Sequence, residues 1–172
     1  MRLRGLGMFG VAAVVLFGMM TSPVAAVAQS DTVLKAAEVQ KLLPDSVWYK
    51  GQSAPAQKRN SGGVKFADGS YVLATLVDNS GYASDVAAKY QAYFVAESPI
   101  KIGGQSLAAG VYGVGFISDN KFVVTDIGAH DVITVSSSTD EAMKRPTPLQ
   151  VTVDASGGFR LYAGRRYVTF TK

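Results

Sequence analysis

From Ser46 to its carboxyl end the chain is cut into short runs rich in Val, Tyr, Phe and Thr, separated at close intervals by Gly, Asp, Asn and Ser. Runs of that composition fit a pleated, half-buried surface, and the residues between them are those that turn a chain. The pattern predicts strands over 46–50, 55–59, 63–67, 70–78, 90–97, 100–102, 105–107, 111–118, 121–127, 131–136, 149–153, 158–163 and 166–171. Hairpins are expected at Ala67-Asp68-Gly69, Gly103-Gly104, Ser118-Asp119-Asn120 and Ala155-Ser156-Gly157. With no helix recurring between strands, the expectation is a mainly β fold, an antiparallel sandwich or barrel.

One short helix is expected before the sheet, over 31–43, where Ser30 or Asp31 can cap and Val33, Ala36, Ala37, Gln40 and Leu43 share a face before Pro44 stops it. A turn of helix is expected from Ser84, and another after Ser138 or Thr139 as cap, ahead of Pro146 and Pro148. The chain shows no internal repeat, low-complexity tract or linker, so residues 29–172 read as a single β domain.

The amino end has a different character. Arg2 and Arg4 precede an uncharged apolar run from Met8 to Met20, and small residues follow through Ala26-Val27-Ala28. That order is the order of a secretory signal peptide. The apolar core is short for a membrane span, which takes about 20 apolar residues. Residues 1–28 are therefore expected to be removed between Ala28 and Gln29, placing the mature chain in the periplasm or outside the cell with no membrane span. Without Arg2 and Arg4 the mature chain carries 15 basic and 13 acidic residues. So small an excess does not provide the clustered positive surface that nucleic acid requires. The chain has no cysteine. Thiol catalysis, thiolate metal sites and disulfide staples are excluded together.

Candidate functional residues are few. On the strand over 111–118, Tyr112, Val114 and Phe116 share one face, while Gly113 and Gly115 leave a gap on the other. Strand glycines serve close backbone approach, a bend, or room for a ligand. The first two are matters of packing; the third makes Tyr112, Gly113 and Gly115 the lining of a small-molecule cavity, which Ala74, Ala92 and Ala96 would enlarge from the same face. Arg160, Tyr162, Arg165 and Arg166, with Tyr167 and Lys172, concentrate positive charge and aromatic rings near the carboxyl end. Such a strip serves either to guard a sheet edge or to hold an anionic glycan or acidic partner. His130, the single histidine, adjoins Asp131 between two strands and reads as a turn residue bonded to backbone. No nucleophile elbow or metal-ligand spacing is present, and no cofactor is implied. The pairs Gly62-Gly63, Gly103-Gly104 and Gly157-Gly158 read as turn glycines, since none leads into a helix as a phosphate loop does.

The run Leu107-Ala108-Ala109-Gly110-Val111-Tyr112 resembles an L-x-x-G-x-Y hairpin of exported bacterial β-sandwich proteins of unknown function. The resemblance implies an exported β fold in which the glycine turns the chain and the aromatic packs inward. Together these readings lead to an exported, non-enzymatic binding or structural protein of the periplasm or envelope. Its partner would be a small apolar ligand, an anionic glycan or an envelope protein. A carrier with a cavity beside Gly113 and Gly115, and a hydrolase of envelope polymers, are the alternatives.

Overall fold

The computed structural model describes residues 30–172, so the signal peptide expected over 1–28 lies outside the described residues. Two antiparallel sheets pack face to face without closing into a barrel. The larger sheet contains β1 (Thr32–Leu34), β2 (Ser46–Tyr49), β3 (Gln52–Lys65), β4 (Tyr71–Val77), β5 (Ala92–Ala96), β8 (Gly110–Ile117), β9 (Lys121–Thr125) and β10 (Asp131–Ser136). Its order is β1, β3, β4, β5, β8, β9, β10, with β2 also on β3. The smaller sheet is built from two excursions of the chain. One is the hairpin β6 (Ile100–Ile102) and β7 (Gln105–Leu107), inserted between β5 and β8; the other is β11 (Ser138–Thr139), β12 (Gln150–Val153), β13 (Phe159–Ala163) and β14 (Arg166–Thr171). Pairing of Phe170 with Ile102 joins the two excursions.

Strand alternation decides what meets between the sheets. Val72 and Ala74 of β4, Ala92 and Phe94 of β5, Val114 and Phe116 of β8, and Phe122 and Val124 of β9 all point inward. They meet Ile102, Leu161, Val168 and Phe170 from the smaller sheet. Each fully buried large side chain, such as Phe94, Phe122 or Phe170, contributes about 1.5–3 kcal/mol relative to exposure.

The larger sheet is covered on its other face too. α1 (Ala36–Val39) and the turns after it seat Val39 and Leu43 on Leu34 and Leu73. Further along, α2 (Ser84–Lys89) and β2 enclose Val47, Tyr49, Val77, Tyr82, Val86 and Tyr90. α2 is the turn of helix expected from Ser84, and Asn79 holds its end by donating to the carbonyls of Ala87 at 2.9 Å and Tyr90 at 2.8 Å.

Three local expectations are corrected. The helix over 31–43 shrinks to α1, because Thr32–Leu34 pairs with β3 in the register Thr32 to Lys65 and Leu34 to Gly63. The Asp31 carboxylate accepts from the Ala67 amide at 2.8 Å, tying this segment to the sheet, and the helix begins instead where the Lys35 amide donates to Glu38 Oε2 at 2.9 Å. A short isolated helix is marginal in water, so edge pairing prevails. Ser138 and Thr139 form β11 against Tyr167 and Arg166 rather than capping a helix; the Asp140 amide extends that contact to the Arg165 carbonyl at 2.9 Å. The runs 55–59 and 63–67 belong to one 14-residue strand, β3. Its register on β4 jumps between Gln57 and Ser61, leaving residues 58–60 without a partner there.

That jump forms a bulge fastened from within. Ser61 donates its hydroxyl to the Lys58 carbonyl at 2.6 Å, and Asn60 Nδ2 donates to Gln57 Oε1 at 3.2 Å. The other edge of β3 is interrupted at the same place: β2 lies opposite Gln52 to Pro55 and β1 opposite Gly63 to Lys65. Gly62 and Gly63 are thus strand residues, a correction to their reading as turn glycines. A Cβ on Gly63 would lie 2.5 Å from the Val72 carbonyl oxygen, so the close strand pairing itself demands glycine.

Candidate functional site

β8 presents Gly113 and Gly115 on the outer face of the larger sheet, and that space is filled by the protein itself. A Cβ on Gly113 would lie 2.5 Å from Tyr49 and 2.8 Å from both Tyr90 and Thr125; one on Gly115 would lie 2.5 Å from the Lys89 carbonyl oxygen. The expected cavity beside the two glycines is therefore corrected to a seat for α2 and two tyrosines. Ala74, Ala92 and Ala96 lie on the opposite, inner face. There, around Val114 and Phe116, only about 10 Å³ stays empty, room for one water at most. Tyr112 is half-buried on that inner side and donates its hydroxyl to the Ala108 carbonyl at 3.0 Å.

The tyrosines over the glycines form a tight group. Tyr49 and Tyr90 stack with centroids 3.7 Å apart, and Tyr82 meets both edge-on. Thr125 donates to the Gly113 carbonyl at 3.1 Å, so at the 2.6 Å contact between Tyr49 and Thr125 the phenol is the donor. Tyr82 donates to the Tyr49 carbonyl at 3.0 Å. The Tyr90 hydroxyl is buried without a partner among the described residues, and burial pushes its pKa well above the ordinary value. This is a packing cluster.

The arginine strip divides into separate structural contacts. On the outer face of β13, Arg160 pairs with Asp154 through Nε, donates through Nη1 to the Tyr162 hydroxyl at 3.3 Å, and lies 4.5 Å over the Tyr167 ring. Tyr162 in turn donates to Asp140 at 3.1 Å and is buried. The Ser156 hydroxyl and amide, with the Arg160 guanidinium, hold the Asp154 carboxyl well below the ordinary range, at about 2. Arg165 points away and donates to the Met143 carbonyl at 3.1 Å. Arg166 reaches across to the larger sheet, lying 5.4 Å over Phe116 and donating to the Ile117 carbonyl at 3.2 Å. Arg160 and Tyr162 thus share one network, while Arg165 and Arg166 leave it.

His130 sits in the turn between β9 and β10. Its ring Nδ1 lies 3.0 Å from Asp126 Oδ2, and Asp126 Oδ1 accepts from the amides of Gly128 and His130 at 2.8 and 2.9 Å. Those amides and the imidazole hold the Asp126 carboxyl below its ordinary pKa. The neighbouring Asp131 faces elsewhere and binds Lys89 at 2.7 Å. With the imidazole largely in solvent, the pair shapes a turn.

A concavity lies where the two sheets meet along one edge, a cleft of about 610 Å³ lined by residues 33–36, 59–62 and 147–151. Its closed side is fixed by Gly62, where a Cβ would lie 2.8 Å from the Val151 amide nitrogen of β12. Only glycine lets the two backbones approach so closely. Val33, Leu34, Leu149 and Val151 supply apolar wall; Asn60, Ser61, Thr147 and Gln150 supply polar groups. Arg59 and Lys35 stand exposed at the opening with no ion-pair partner among the described residues, whereas Lys58 is tied to Asp45 at 2.5 Å. None of the lining residues is acidic.

Sequence reasoning missed this cleft. Its three segments are far apart in the chain, and the Gly62-Gly63 pair was the one local sign of close backbone approach. Comparison with family models, curated proteins and solved structures finds no match to the chain. No helix among the described residues is long and apolar enough to cross a membrane.

Proposed function

We propose that this chain is an exported binding protein of the periplasm or cell envelope, holding a small, largely apolar ligand in the cleft between its sheet edges without transforming it. Export rests on the signal-like order of residues 1–28. Binding rests on the cleft: at about 610 Å³ it falls within the range of small-molecule sites, and its apolar wall with a few polar groups is the usual lining of such sites. Hydrolysis of a glycan would call for two carboxylates converging on a substrate, and this lining offers none.

Native mass spectrometry of gently purified residues 29–172 tests the reading. A retained small molecule, or uptake of aliphatic and aromatic probes, is expected for the wild-type chain. Thr147→Trp, an exposed position on the cleft wall, should abolish it without lowering the unfolding temperature. A chain that neither retains nor takes up any such molecule would overturn the proposal.

A further inference from the structure

We infer that the ligand of this cleft carries an anionic oxygen head on its apolar body, as a fatty carboxylate or alkyl phosphate does; the inference rests on the binding role proposed above. The charged side chains that line the cleft are both basic, while the nearby Glu38 carboxylate is held by the Lys35 amide at 2.9 Å. Arg59 and Lys35 stand free of ion pairs among the described residues, and no acidic side chain lines the cleft. Arg59 also borders a second hollow of about 380 Å³ on the other side of the bulge, whose lining likewise lacks an acid.

Hydrogen-bond capacity points in the same direction. Ser61 spends its proton on the Lys58 carbonyl, and Asn60 Nδ2 gives one of its two protons to Gln57. Gln150 Nε2 has only a weak partner, the Met143 sulfur at 3.7 Å. That amide, the second proton of Asn60 Nδ2, the Thr147 hydroxyl, the Arg59 guanidinium and the Lys35 ammonium are side-chain donors left at the opening. An anionic head accepts from all of them, while Val33, Leu34, Leu149 and Val151 receive an apolar chain. A cationic amphiphile would meet repulsion there.

Exposed charges are worth little singly, so the two cations together should favour an anionic over a neutral head by about tenfold at low salt, and less as salt screens them. The experiment uses residues 29–172 in ¹⁵N-edited NMR titrations with four probes that share a ten-carbon chain: decanoate, decyl phosphate, 1,2-decanediol and decyltrimethylammonium. Expected are shifts at the amides of residues 33–36, 59–62, 147 and 149–151, with decanoate or decyl phosphate about tenfold tighter than the diol and the cationic probe weakest. The tighter of the two anions identifies the head. The double variant Lys35→Gln with Arg59→Gln should erase the preference, so that on this variant both anions bind no more tightly than the diol does. If the diol binds as tightly as both anions, or the preference survives in the double variant, the anionic head is wrong and the binding role stands. If no probe moves the cleft amides, the binding role itself falls.

Discussion

Substituting alanine for Gly115 adds one methyl group at a point where β8 and α2 touch backbone to backbone. The new Cβ would lie 2.5 Å from the Lys89 carbonyl oxygen and 2.9 Å from its carbon, whereas ordinary contact begins at 3.4 Å. The end of α2 must then retreat by about 0.9 Å, and it is not free to do so. Gln91 stitches it to β8, donating to the carbonyls of Ala88 at 2.9 Å and Phe116 at 3.0 Å and accepting from the Phe116 amide at 3.1 Å. Overpacking of this kind costs about 1–3 kcal/mol, which for a chain of this length lowers the unfolding temperature by about 3–10 °C. Thermal unfolding followed by circular dichroism measures it, with Gly81→Ala as control because nothing lies within 4 Å of its added Cβ. The control should match the wild-type chain or exceed it slightly. Equal unfolding temperatures for Gly115→Ala and wild type would show that this face is open, and the seat assigned to α2 would be refuted.

Asp154 should make stability depend on acid. Its folded pKa of about 2 lies below the ordinary 3.8, so the unfolded chain takes up the proton first; the contribution is complete above about pH 4 and disappears as pH falls towards 2. Urea midpoints should therefore fall less steeply over that window in Asp154→Asn than in wild type, and identical slopes would contradict the assignment. Tyr90→Phe, which removes a buried hydroxyl without a partner, should be at least as stable as wild type, whereas Tyr49→Phe, which breaks the bond to Thr125, should lose about 1 kcal/mol in chemical denaturation. A destabilised Tyr90→Phe would mean that the hydroxyl bonds a buried water.

The strands were legible because each apolar run is bounded by turn residues, and the hairpins at Gly69, Gly103-Gly104 and Gly157 use positive φ angles that glycine accepts. The two-residue turn at Lys50 and Gly51 escaped notice, since lysine seldom adopts its φ of +47°; its amide is held by the Ile127 carbonyl at 2.7 Å. The bulge in β3 was hidden for a different reason. Residues 60–62 fall between the strands expected over 55–59 and 63–67, and only the pairing with β4 before and after the bulge makes the two runs one strand. Gly113 and Gly115 correctly signalled close approach, but nothing local identified Tyr49 and Lys89 as the neighbours. For Arg160 and Tyr162 the association was visible as spacing of two along a strand; the departure of Arg166 to Phe116 depends on how the second sheet is placed. The cleft needs three segments brought together by that same placement.

The double covering of the larger sheet has a consequence for how the chain can vary. Along β9, Phe122 and Val124 face the smaller sheet while Val123 and Thr125 face the outer layer, and each of these four has 0% exposure. Every position of that stretch is constrained by a neighbour, so neutral drift is closed to it. β14 follows the opposite regime: Val168 and Phe170 are buried, and Thr169 and Thr171 are exposed. Sequence change should therefore accumulate at alternate positions in the smaller sheet and stall in the centre of the larger one.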